Sequence, residues 1–188
     1  LKRLFQSTAF FSDRAQAGLV KGPLEFAVGF MRTTGVHPVH GERLTIDLSA
    51  IRWRLEGMGH VPTRPPSVSG WPEGELWLSA QAMVDRANFV RDAIIDRTDQ
   101  LAAGFDPRTL MPSPAATADQ VIDGLAARLG LEPTDEERAA WRLYLDTRRK
   151  WDGTEEADPF DPANDEHVEE RVRGLLYILA QQPEYMIR

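Results

Sequence analysis

Two groups of residues in this chain have the types and spacing to do chemistry. Lys21 and Glu25 stand four apart across the start of a helix opened by Gly22-Pro23. Buried together in a pocket, an ammonium and a carboxylate at that spacing shift each other's pKa and can trade protons. On an open surface the same pair is a local ion pair worth about 0.2–0.5 kcal/mol, and Glu25 in the first turn also suits the helix dipole. Trp71 and Trp77 form the second group, with Pro66 and Gly70 before them and Arg86 after. Indole faces stack on sugar rings or on a partner's side chains. They also anchor long loops, since burying one contributes about 2–3 kcal/mol, and anchoring is the first reading here.

Metal chemistry finds thinner support. His37, His40 and His60 are imidazoles that could gather on an ion, but His37-x-x-His40 lies in a loop and lacks the helical spacing and glutamate of a metalloprotease motif. The acidic stretch from Asp152 to Asp165 offers oxygens for calcium without the central glycine of an EF-hand. It reads as a solvated connector. No metal and no cofactor is expected. The nucleophile elbow, the P-loop, the dinucleotide fingerprint and H-E-x-x-H are all absent, and there is no cysteine, which removes thiol nucleophiles and zinc–thiolate sites.

The 188 residues carry 22 Lys and Arg against 29 Asp and Glu, a net charge of −7. That balance argues against nucleic acid as a partner. The one dense basic run, Arg148-Arg149-Lys150, is expected at a helix end, where cations favour the dipole. No apolar run approaches the roughly 18 residues of a membrane span. The sequence opens on Leu1 within an amphipathic pattern and reads as the C-terminal part of a longer protein.

The elements that must position these residues are helical. Short helical pieces surround Phe5, Phe10 and Phe11. Pro23 sits at a first helical position and Gly35 stops that helix, with Leu24, Ala27, Val28 and Met31 as its inward stripe. Leu44, Leu48, Ile51, Leu55 and Met58 share one face of the next helix. From Gly57 to Leu78, four prolines and four glycines predict a long shaped loop, and Ser79 caps a helix carrying Met83, Ala87, Val90 and Ile94 inward. Thr117-x-x-Gln120 and Thr134-x-x-Glu137 are capping boxes, the first helix ending at Gly130 and the second carrying Trp141, Tyr144 and Leu145. Asn164 or Asp165 caps a last helix with Val168, Val172, Leu175 and Leu179, and Pro183 stops it. The expected fold is all-α: six to eight helices in an irregular bundle with a long Pro/Gly/Trp-rich ordered loop and little or no sheet. One helical domain over 1–188 is expected, with helices and loop in 1–97 and further helices in 98–188.

Several stretches resemble the C-terminal half of the bacterial domain-of-unknown-function family 1800. They are Ser7-Thr8-Ala9-Phe10-Phe11, Val20-Lys21-Gly22-Pro23-Leu24-Glu25, the loop from Pro65-Pro66 through Gly70-Trp71-Pro72 and Gly74 to Trp77, and Arg86-Ala87-Asn88-Phe89. The closing Gln182-Pro183-Glu184-Tyr185 is similar to that family's end. The likeness is good from Phe10 to Phe89 and looser elsewhere. Gly22 stands where the family commonly has Ser, His60 where Gln is usual, and Ser69 where Lys is common. The resemblance implies a helical, exported protein, often encoded beside a second exported protein, with no established activity. Two functions are expected from it and from the residues. One is a non-catalytic binding or assembly module in the periplasm or cell envelope, holding that second protein or a glycan through Lys21, Glu25, Pro66, Gly70, Trp71, Trp77 and Arg86. The other is an envelope hydrolase of polysaccharide or peptidoglycan that uses carboxylates beside the Trp-rich loop. An enzyme would bring Lys21, Glu25, Glu73 or Arg86 together in a pocket, whereas a binding module would expose Trp71 or Trp77 on a flat apolar patch.

Overall fold

A computed structural model describes residues 1–12, 18–36, 48–96 and 105–187. Local signals set most helix ends. α1 (Lys2–Phe5) is a single turn whose Phe5 meets Phe10 edge-on at 5.0 Å. α2 (Pro23–Thr34) starts with Pro23 and ends at Gly35, whose φ of 74° is a left-handed cap open to glycine at little cost. α3 (Leu48–Gly57) closes in a Schellman turn: His60 N–H donates to Leu55 O at 2.8 Å, Gly59 N–H to Glu56 O at 2.9 Å, and Gly59 has φ +83°. α4 (Ala80–Ile94) is capped by Ser79, whose hydroxyl accepts from Ala82 N–H at 3.2 Å. Thr117 and Thr134 close reciprocal boxes with Gln120 and Glu137 at the starts of α5 (Ala118–Leu129) and α6 (Asp135–Leu145). A π-helical turn (His167–Val172) runs directly into α7 (Arg173–Leu179), and Pro183–Met186 adds a 3-10 turn.

α4, α5 and α7 carry much of the core, including Phe89, Ile94, Ile122, Leu125, Leu175 and Leu179. At one end, Phe26 and Phe30 of α2 meet Phe89 and Tyr185 in edge-to-face contacts of 5.6–6.5 Å between ring centres. These rings correct the expected face of α2. Phe26, Ala27, Phe30 and Thr34 are buried, while Leu24 is exposed and Val28 and Met31 are half-buried. The stripe turns because burying two phenyl rings removes more apolar area from water than burying Leu24 and Val28. α4 shifts in the same way, burying Ala82, Arg86 and Phe89 together with Val90 and Ile94, and leaving Met83 and Ala87 half-buried. Tyr144 of α6 is 38% exposed, whereas Trp141 and Leu145 are buried as expected. Ile51, Leu55 and Met58 are buried together, and Leu44 lies outside the described residues.

The structure is all-α apart from one small ribbon among the described residues. β1 (Thr147–Arg149) pairs antiparallel with β2 (Glu155–Ala157), joined through a turn in which Gly153 has φ +83°. Arg148-Arg149-Lys150 is therefore not a helix end, and the acidic connector holds a strand. The register explains both. Arg148 faces Glu156 and Arg149 faces Glu155, so opposite charges sit across the ribbon, and Lys150 reaches Glu156 at 2.5 Å. Three-residue strands are too short to show period-two alternation. Arg171 locks the ribbon to the bundle through Leu145 O and Asp158 O, both at 2.6 Å, and through the Asp158 carboxylate.

Candidate binding site

The long loop ends in a 3-10 turn (Gly74–Leu78), which drops Trp77 into the molecule, 7% exposed. Its indole packs over two positions without side chains. A Cβ added at Gly22 would meet the indole Nε1 at 3.7 Å, and one at Gly59 would meet Cζ3 at 4.0 Å. The Schellman turn at the end of α3 sets His60 beside it, with rings 5.5 Å apart and 14° from parallel. Trp71 lies against the same imidazole at 5.1 Å, tilted 34°. The imidazole thus touches both indoles. Burial pushes the His60 pKa below its ordinary value, against an opposing pull from Glu25, so the ring is neutral at pH 7. His60 Nδ1 and Trp71 Nε1 are both buried with no hydrogen-bond partner among the described residues.

Beside this stack opens a cleft of about 630 Å³. Leu19, Val20, Leu24 and Trp77 supply its apolar wall, and Glu25, Glu73 and His60 its polar groups. Among the described residues no lysine or arginine lines it. Glu25 Oε2 accepts from Gly22 N–H at 3.0 Å, completing the cap of α2.

Lys21 and Arg86 sit behind the cleft and hold its wall to the C-terminal segment. Lys21 Nζ donates to Tyr185 O at 2.6 Å and lies 4.0 Å from the centre of the Tyr185 ring. Lys21 N–H donates to Met186 O at 2.8 Å. Burial and the neighbouring Arg86 guanidinium hold the Lys21 ammonium below its ordinary range, against Glu25, which acts the other way. Arg86 is fully buried. Its guanidinium donates to Lys21 O at 2.6 Å and Trp77 O at 3.3 Å, lies 3.4 Å from the Met186 sulfur, and stacks on Phe26. Burial pushes its pKa down to about 10, which still leaves it charged at pH 7.

Of the residues singled out from sequence, Glu25, Glu73 and Trp77 meet in the cleft, Trp71 supports it through His60, and Lys21 and Arg86 brace it from behind. Pro66 and Gly70 lie elsewhere. Pro66 is exposed over a smaller hollow of about 330 Å³ shared with Arg64 and Pro65, and Gly70, at φ +97°, closes the Ser67–Gly70 turn. Trp71 and Trp77 do not form the expected flat exposed patch, because Trp77 is buried and Trp71 half-buried. Sequence reasoning weighed His60 only as a metal ligand and missed its place between the indoles. The signal was its position three residues past the end of α3, directly after a glycine suited to a left-handed cap. His37 and His40 lie outside the described residues. Among the described residues no group of three His, Asp or Glu is arranged to hold a metal ion, and no helix is long and apolar enough to cross a membrane.

Comparison with curated proteins and with solved structures gives no match. A family model does match, and it extends the resemblance carried by the Pro–Gly–Trp loop across the chain. It covers residues 1–187, and the chain belongs to the family described as "Protein of unknown function (DUF1800)".

Proposed function

We propose that this chain is a non-catalytic binding module of an exported protein, and that its ligand occupies the cleft between the start of α2 and the Trp77 turn. The observation that carries the reading is the make-up of that cleft: an apolar wall of Leu19, Val20, Leu24 and Trp77 with the Glu73 carboxylate beside it, and no lysine or arginine among the described residues that line it. Such a lining suits an apolar group that carries a positive charge. A neutral His60 adds no charge against it. Glu25 is engaged in capping α2, which favours binding over a pair of catalytic carboxylates. Export rests on the family resemblance alone.

The test is NMR shift mapping with two small probes, acetyl-Leu-Lys-amide and acetyl-Leu-Glu-amide. The lysine probe is expected to move the Gly22 and Glu25 amides and the Trp77 indole N–H, with the glutamate probe at least fivefold weaker. Glu73→Gln should narrow that difference. Equal shifts from both probes, or none at these positions, would overturn the reading. So would hydrolysis of peptidoglycan or polysaccharide by the purified chain that Glu73→Gln abolishes, an outcome that points to the hydrolase.

A further inference from the structure

Val20, in the wall of the cleft, makes a single antiparallel β-bridge. Val20 bridges Ile187 in antiparallel fashion, and the neighbouring Lys21 N–H donates to Met186 O at 2.8 Å. In an antiparallel pair flanked by such bonds, the two facing residues point their own N–H and C=O away from each other. The Val20 N–H and C=O therefore point to the side opposite the C-terminal segment, and neither has a partner among the described residues. Leu19, Val20 and Gly22 line the cleft, so the Val20 amide lies at its margin. The segment is held in place from its other side by Lys21 and Arg86, so its shape does not depend on a ligand. An unpaired edge with pockets beside it is what strand addition uses: main-chain bonds give affinity and side-chain pockets give selectivity.

We infer that an extended segment of a partner protein, bearing an apolar residue and a lysine or arginine, adds as a strand at Val20 with its side chains in the His60–Trp77 cleft. This rests on the binding reading of the cleft. A glycan has no row of amides to pair with the edge, and a folded helix has already used its own. The Glu73 carboxylate selects for the basic residue, and the indole and leucine walls select for the apolar one.

The experiment uses the whole chain and the probe acetyl-Thr-Val-Thr-Lys-Thr-Val-Thr-amide. Two N-methylated versions, each blocking one set of alternate amides, serve as controls. Hydrogen exchange of the Val20 amide should slow at least tenfold on saturation with the parent peptide. One methylated version, blocked on the edge that faces Val20, should bind at least tenfold more weakly, and the other should retain most of the affinity. Unchanged Val20 exchange, or equal binding of all three peptides, would overturn strand addition. If the lysine dipeptide still mapped to the cleft in that case, the binding reading would stand without it. If the dipeptide also failed, both would fall.

Discussion

His60 lies against Trp77 with the two rings 14° from parallel and 5.5 Å between centres. The contact joins the end of α3 to the end of the long loop, and the indole in turn covers Gly22 at the start of α2. One ring therefore ties together the starts and ends of three segments, and it forms part of the apolar wall of the cleft. Its loss should be felt both in stability and in shape.

Trp77→Ala should cost about 3–5 kcal/mol in urea denaturation, the range for emptying a large buried aromatic site. Trp71→Ala should cost less, since Trp71 is only half-buried. Equal costs would contradict the placement of Trp77 as the main anchor.

Acid should weaken the fold through His60. Burial lowers its folded-state pKa below the ordinary 6.5, so below pH 6.5 the unfolded chain binds the proton more readily than the folded one. Stability should then fall as pH drops from 6.5 towards the lower folded value, and the loss should be complete below that value. Above 6.5 this residue contributes no slope. His60→Gln should remove that part of the pH dependence in denaturation measured from pH 8 to 4.5, and an unchanged profile would show that His60 does not carry it.

Gly174 in α7 leaves the space that the Tyr144 hydroxyl fills. A Cβ there would overlap the Tyr144 hydroxyl and come within 3.0 Å of Cζ. Gly174→Ala should therefore destabilise by about 1–3 kcal/mol, as overpacking does. In a Tyr144→Ala background the same change should become stabilising by up to about 1 kcal/mol, because alanine is the better helix former. A cost that persisted without the tyrosine would place the constraint elsewhere.

The two threonine caps should behave as independent local units. Thr117→Ala and Thr134→Ala each remove a hydroxyl that accepts from the third helical N–H, at 3.4 and 3.3 Å. Each should cost about 1 kcal/mol. The double variant should lose close to the sum, as expected for distant sites, and thermal unfolding of the four proteins would show any coupling.

The ends of the helices were legible in the sequence: Pro23 and Gly35, Ser79, Thr117 with Gln120 and Gly130, Thr134 with Glu137. These signals act within three or four residues, where backbone donors need a nearby acceptor and a left-handed turn needs a glycine. The same logic made the Pro–Gly–Trp loop recognisable, and with it Trp77 and the helix start at Glu25. Tertiary structure alone decided which faces turned inward, because Phe26 and Phe30 compete with Leu24 only once Phe89 and Tyr185 are there to meet them. It also decided that Lys21 would bond a carbonyl 164 residues away and that Arg86 would be buried among carbonyls. His60 between its indoles belongs to the same class. Such contacts depend on bringing distant segments together, and their energy exists only after the whole core has closed, so no local pattern of residues records them.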